Sequence, residues 1–191
     1  EGDKIKRIYA GDEALPRVAQ VIDAADRMVM PGFIDTHCHG RSGADFCDAD
    51  NAGMLKMSMD KLSEGVTTWL PTTLTLSEKE LAAALETARA YAASGSPGAK
   101  VPGVHLEGPF INPKCLGAQN PDYVRAPDIE EVKRLNAIFP VVKVSYAVEM
   151  PGGAEFAAEL LSCNITPSCV HSAATYAQFQ AGARQGLNNL S

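Results

Sequence analysis

Only four histidines occur in the 191 residues, at positions 37, 39, 105 and 171. In Asp35-Thr36-His37-Cys38-His39 two imidazoles are two residues apart, so on an extended chain both face one side while Cys38 faces the other. His105-Leu106-Glu107-Gly108-Pro109 repeats that spacing with an imidazole and a carboxylate, and His171 follows the apolar pair Cys169-Val170. Neutral imidazole and carboxylate are the ligands that borderline divalent ions such as Zn²⁺, Fe²⁺ and Mn²⁺ accept. Taken singly, a histidine is commonly a half-buried residue satisfied by a backbone carbonyl. Four of them at or near the ends of apolar runs, one beside a glutamate, favour a metal centre built from His37, His39, Glu107 and His171. His105 is expected to orient Glu107 or to pack inside the sheet.

The elements that must bring these residues together alternate in type. Short β-branched runs are expected as strands at Phe33–His37, Val66–Pro71, Gly103–Glu107, Val141–Ala147 and Thr166–His171. Segments with helical spacing lie between and after them, at about 52–63, 78–93, 128–138, 153–162 and 174–185. Ser77 with Glu80 three residues on forms a capping box at the start of the second helix. Alternation of this kind is the mark of βα units around a parallel sheet. In a parallel barrel the C-terminal strand ends converge on one mouth, which would gather the histidines. A complete (β/α)₈ barrel takes about 250 residues, so the stretch from residue 27 onward holds about five units. Residues 1–26 read differently: Ile5-Lys6-Arg7-Ile8-Tyr9 alternates like a half-buried strand and Val18–Ile22 offers another, so they are expected to belong to a small β domain.

Composition narrows the classes. Seventeen Lys+Arg against 23 Asp+Glu give a formal charge of −6 with no basic cluster, which argues against nucleic acid as a partner. A hydrophobic share of 46% with 21% charged residues supplies a core and excludes disorder, collagen and coiled coil. No apolar stretch approaches the ~20 residues of a membrane helix, and Glu1-Gly2-Asp3-Lys4 does not begin a signal sequence, so a cytoplasmic protein with no membrane partner is expected. Five cysteines with no C-x-x-C pair read as reduced thiols, Cys38 and Cys163 as buried and inert ones. Asp35 reads as a structural residue of the first strand, and Asp45, Asp48 and Asp50 as solvated loop carboxylates.

Pro31-Gly32-Phe33-Ile34-Asp35-Thr36-His37-Cys38-His39-Gly40 resembles the first-strand motif of the amidohydrolase superfamily. His105-Leu106-Glu107-Gly108-Pro109-Phe110-Ile111-Asn112, Gly117-Ala118-Gln119-Asn120-Pro121, Ala147-Val148-Glu149-Met150 and His171-Ser172-Ala173-Ala174-Thr175-Tyr176 narrow the resemblance to the N-acetylglucosamine-6-phosphate deacetylases. The similarity runs through nearly the whole chain in order. It implies an α/β fold: a TIM-type (β/α)₈ metal-dependent hydrolase barrel, with about five units in this chain, and a small β-sandwich to which residues 1–26 contribute. It implies a homodimer whose substrate is a phosphorylated amino sugar. Glu107 would bind and bridge metal, His171 would be a ligand, and His37 and His39 would hold a second ion in members that keep it. One or two divalent ions are implied, zinc being the first expectation and iron or manganese the others. The implied reaction removes the N-acetyl group of N-acetylglucosamine-6-phosphate as acetate and leaves glucosamine-6-phosphate.

Two departures from the family pattern stand out. The loop after the third strand, where the family usually has a substrate-contacting histidine, carries Ala118 and Gln119; glutamine keeps a hydrogen bond but has no cationic form. The family's next metal-ligand histidine, its catalytic Asp and its phosphate-gripping Arg are expected beyond Ser191, so no catalytic residue is assigned within the chain. Two other readings stay open. One is an amidohydrolase for a different N-acyl or cyclic amide substrate, for which Lys143 in the fourth strand is a weak carboxylated-lysine candidate. The other is a non-catalytic metal- or sugar-binding protein, which would fold by itself where a barrel interrupted after five units would expose a sheet edge.

Overall fold

The computed structural model of the chain describes residues 4–14, 16–18 and 20–191. The chain divides into two units, Glu1–Pro31 and Gly32–Ser191.

In the first unit no described residue lies in a strand. Turns close where the Glu13 N–H donates to the Ala10 carbonyl and the Arg27 N–H to that of Ala24, and Arg7 pairs with Glu13 at 3.0 Å. The strand expected at 5–9 is absent, and so is the one at 18–22 over its described residues, Ala19 lying outside them. A strand is held by a partner's N–H and C=O groups, and among the described residues no strand is paired with either segment. Ile5 and Ile8 are each 83% exposed.

The second unit alternates strand and helix. Its elements are β1 (Phe33–Cys38), β2 (Gly40–Arg41), β3 (Ala44–Asp45), α1 (Asn51–Ser63), β4 (Val66–Pro71), α2 (Glu78–Ala93), β5 (Val104–Glu107), α3 (Ile129–Ile138), β6 (Val141–Tyr146), α4 (Gly153–Ser162), β7 (Thr166–Cys169), α5 (Tyr176–Arg184) and β8 (Asn189–Leu190). Apart from the short antiparallel pair β2 and β3, every strand pairing is parallel. β1 pairs with β4, and β5, β6, β7 and β8 follow one another in chain order. Parallel bridges from Thr68 to Lys100 and from Thr72 to His105 join the two groups. The sheet therefore runs β1-β4-β5-β6-β7-β8, the strand order of a barrel wall.

Local sequence explains the elements. Leu81, Ala84, Leu85 and Ala88 of α2 recur at helical spacing and are fully buried, the stripe that covers a sheet face. The capping box of Ser77 and Glu80 forms as expected, and Asp50 and Asp128 cap α1 and α3. Asp45 likewise accepts from the Cys47 N–H, so Asp45 and Asp50, expected as solvated loop carboxylates, also cap the starts of helical segments. Val104, His105, Leu106 and Glu107 are all buried, as befits a strand covered on both faces. The five expected helices and the five expected strands all form, with ends shifted by a residue or two. Cys38 and Cys163 are half-buried, not buried, and Cys169 is the fully buried thiol.

Candidate metal centre

The C-terminal ends of β1, β5 and β7 deliver the expected residues to one place. On β1 and the residue after it, His37 and His39 turn the same way, and their Nε2 atoms are 3.2 Å apart. Glu107 closes β5, 4% exposed. Its Oε2 lies 2.8 Å from His39 Nε2 and 3.6 Å from His37 Nε2. Its Oε1 faces His171 Nε2 at 3.5 Å. The ligand atoms of His37, His39 and Glu107 lie within 4.8 Å of one another.

For two of the three rings a backbone carbonyl decides which nitrogen is presented. The Nδ1 of His39 lies 3.2 Å from the Thr72 carbonyl and the Nδ1 of His171 lies 2.7 Å from that of Cys115. A carbonyl accepts only, so each Nδ1 carries a proton and each Nε2 is the nitrogen turned toward Glu107: that of His39 donates to the carboxylate here and would give up that proton to hold an ion. The donor set fits a divalent ion: around a tetrahedral zinc with Zn–N near 2.0–2.1 Å, neighbouring donors would stand about 3.3 Å apart, close to the spacing of these nitrogens and oxygens.

Charge agrees with geometry. Burial opposes ionisation of Glu107, but the hydrogen bond from His39 and the nearby imidazoles outweigh it and hold the carboxyl below its ordinary range. The bond to Glu107 raises His39 against the effect of burial, whereas burial and the neighbouring His39 lower His37.

His105 behaves differently from the other three. It is fully buried, with Nδ1 3.2 Å from the Thr36 carbonyl and Nε2 2.7 Å from Ser145 Oγ. Both nitrogens are engaged, and burial pushes its pKa down to about 2. It stacks edge-on against His37 at 4.9 Å between ring centres, which is the packing role expected of it. Lys143, in register with His105, is an interior residue of β6; burial lowers its pKa and Glu107 partly offsets that.

Gln119 is buried against the site. Its amide Nε2 donates to Glu107 Oε2 at 3.1 Å, and its Oε1 accepts from the Thr75 N–H at 2.6 Å. Ala118 beside it is exposed. Asp35, two residues before His37, takes Lys61 Nζ on one oxygen at 2.6 Å and the His37 N–H on the other at 3.0 Å, tying β1 to α1 next to the histidine pair.

Two glycines serve the site. Gly108 follows Glu107 at φ +74°, where a Cβ would stand 2.2 Å from Thr75 Oγ1, and Gly117 lies against the His171 ring, which a Cβ would meet at 3.1 Å. Sequence reasoning missed the carbonyls of Thr72 and Cys115, since backbone groups carry no residue-type signal. It also gave no role to Glu149, which was visible only as part of a motif.

Comparison with known proteins places the chain. Residues 28–173 match the model of the amidohydrolase family. The N-acetylgalactosamine-6-phosphate deacetylase of Escherichia coli O157:H7 is 34% identical over 185 residues, 96% of this chain and 48% of that protein. The N-acetylglucosamine-6-phosphate deacetylase of Bacillus subtilis is 34% identical over 192 residues, 98% of this chain and 48% of that protein. The chain thus spans about half the length of these curated relatives. Among solved structures, the Mycobacterium smegmatis N-acetyl-D-glucosamine-6-phosphate deacetylase, in complex with N-acetyl-D-glucosamine-6-phosphate, superposes with a TM-score of 0.77 at 28% identity, covering 84% of this chain and 42% of that one. The Thermotoga maritima enzyme gives 0.73 at 32% identity, covering 85% and 45%. With its parallel βα units and its strand-end histidines, the chain belongs to the amidohydrolase family.

Proposed function

We propose that the whole protein hydrolyses the N-acetyl group of N-acetylglucosamine-6-phosphate, releasing acetate and glucosamine-6-phosphate. The observation that carries this reading is the convergence of His37, His39 and His171 on the two oxygens of Glu107, in a chain similar over nearly its full length to sugar-phosphate deacetylases. In this reading His37, His39, Glu107 and His171 hold the metal. A divalent ion held there would supply Lewis-acid chemistry, polarising the amide carbonyl and lowering the pKa of a water molecule. Glu107, kept ionised by its imidazole neighbours, is committed to holding the ion. The Asp that takes the water's proton is expected from the family's later strands. Gln119 steadies Glu107 from the loop after β5. Zinc is the proposed ion. The family resemblance further supports a homodimer, a cytoplasmic location and a place for residues 1–26 in a small β-sandwich.

A second reading, favoured by the Escherichia coli relative named for the galactosamine sugar, is that the substrate is the C4 epimer. Acetate release by the purified whole protein from each sugar phosphate, before and after chelator treatment and zinc addition, tests both. The expected result is turnover of the glucosamine derivative that chelation removes and zinc restores. Preference for the galactosamine derivative selects the second reading, and no acetate from either sugar overturns both.

A further inference from the structure

We infer that Glu149 is the positioning residue that locks His171 in its ligand-bearing conformation, an inference that rests on the metal-centre reading above. His171 has φ +46°, in the left-handed region that a β-carbon disfavours and that surrounding structure must enforce. Two bonds act on the residue itself: its carbonyl accepts from the Asn112 N–H at 3.1 Å and its Nδ1 meets the Cys115 carbonyl. The segments on either side converge on one carboxylate. Glu149, three residues past β6, accepts from Asn112 Nδ2 and from the Ala173 N–H on Oε1, and from Ser172 Oγ on Oε2, each at 2.6 Å. Asn112 belongs to the loop after β5, and Ser172 and Ala173 directly follow His171. Glu149 therefore ties the loops after β5, β6 and β7 into one unit around a strained histidine, without touching Glu107 or the other imidazoles. Three donors on one carboxylate form a short, charge-assisted cluster. Without it, Asn112 and the 172–173 turn lose their shared anchor and His171 is free to relax to negative φ, which would swing Nε2 away from Glu107.

Cobalt(II) titration of the whole apoprotein, followed by absorption spectroscopy, together with hydrogen exchange of the Asn112 amide in the metal-free protein, tests the inference. Glu149→Ala is expected to weaken cobalt binding about tenfold or more, to change the cobalt spectrum, and to speed Asn112 exchange. Glu149→Gln can keep acceptor Oε1 for Asn112 and Ala173 and let Ser172 accept from its amide, so it is expected to restore most of the affinity. Wild-type affinity and spectrum in Glu149→Ala, or a Glu149→Gln variant as impaired as Glu149→Ala, overturns the inference. If the wild-type protein binds no cobalt, the metal reading fails separately, and the exchange rate alone decides: unchanged Asn112 exchange in Glu149→Ala overturns the positioning role. Should Glu149→Ala not fold, Ser172→Ala, which removes one of the three donors, is read by the same two measurements.

Discussion

His39 Nε2 stands 2.8 Å from Glu107 Oε2, although the two residues come from different strands and 68 positions separate them in the chain. The contact is held from both sides. The Thr72 carbonyl fixes the proton of His39 on Nδ1, and Gln119 and the Thr73 hydroxyl bond to the side chain and backbone of Glu107. Such a pair is pre-set to share an ion.

Removing a donor should therefore remove the metal. Glu107→Ala, which takes away the acceptor common to all three imidazoles, is expected to leave the whole protein with under a tenth of the wild-type metal content, and His39→Ala to weaken binding about tenfold or more. Elemental analysis after gel filtration measures both. Wild-type stoichiometry in Glu107→Ala would refute the site.

Gln119 spans a buried gap, so its loss should be felt in stability as well as in activity. Gln119→Ala leaves the Thr75 N–H without its acceptor, and an orphaned buried donor costs about 1–3 kcal/mol. A urea melt of the variant is expected to shift by that amount with an unchanged m-value, and kcat/KM to fall because Glu107 loses a donor. Gln119→His, which restores the residue usual in the family, is expected to alter kcat/KM for the sugar phosphate. No change with any N-acetylated amino-sugar phosphate would argue against substrate or carboxylate contact by Gln119.

His105 gives the fold an acid sensitivity whose sign can be worked out. Burial holds its folded pKa near 2, far below the unfolded value of about 6.5, so the unfolded chain binds a proton that the folded chain refuses. Its contribution is intact above about pH 6.5 and is lost as pH falls below that value. Between pH 7 and pH 5 the loss amounts to about 2 kcal/mol at 1.36 kcal/mol per unit. His105→Gln, which keeps hydrogen-bonding capacity without a titrating group, is expected to flatten the stability profile over that range by the same amount. Parallel wild-type and variant profiles would show that His105 does not titrate on unfolding.

The elements of the second unit were legible along the chain because local rules govern them. The stripe of Leu81, Ala84, Leu85 and Ala88 sets the face of α2, Ser77 and Glu80 set its start, and the spacing of His37 and His39 puts both rings on one side of β1. The family motifs also point to Glu107 and His171 residue by residue. The strands expected at 5–9 and 18–22, absent over their described residues, mark where that legibility stopped, since an alternating pattern states what a strand would bury but not whether a partner strand is there to bond it.

Tertiary structure alone decided how the site is held. Which nitrogen His39 and His171 offer depends on carbonyls of Thr72 and Cys115, groups that every residue type carries and no sequence pattern marks. The turn of Gln119 onto Glu107 and the φ +46° of His171 are set by contacts across the fold, from Gln119 to Thr75, 44 residues away, and from His171 to Cys115, 56 residues away. Sequence determined the donor types of the candidate site because side-chain chemistry is local; folding decided their protonation, orientation and strain because those depend on what the chain brings alongside.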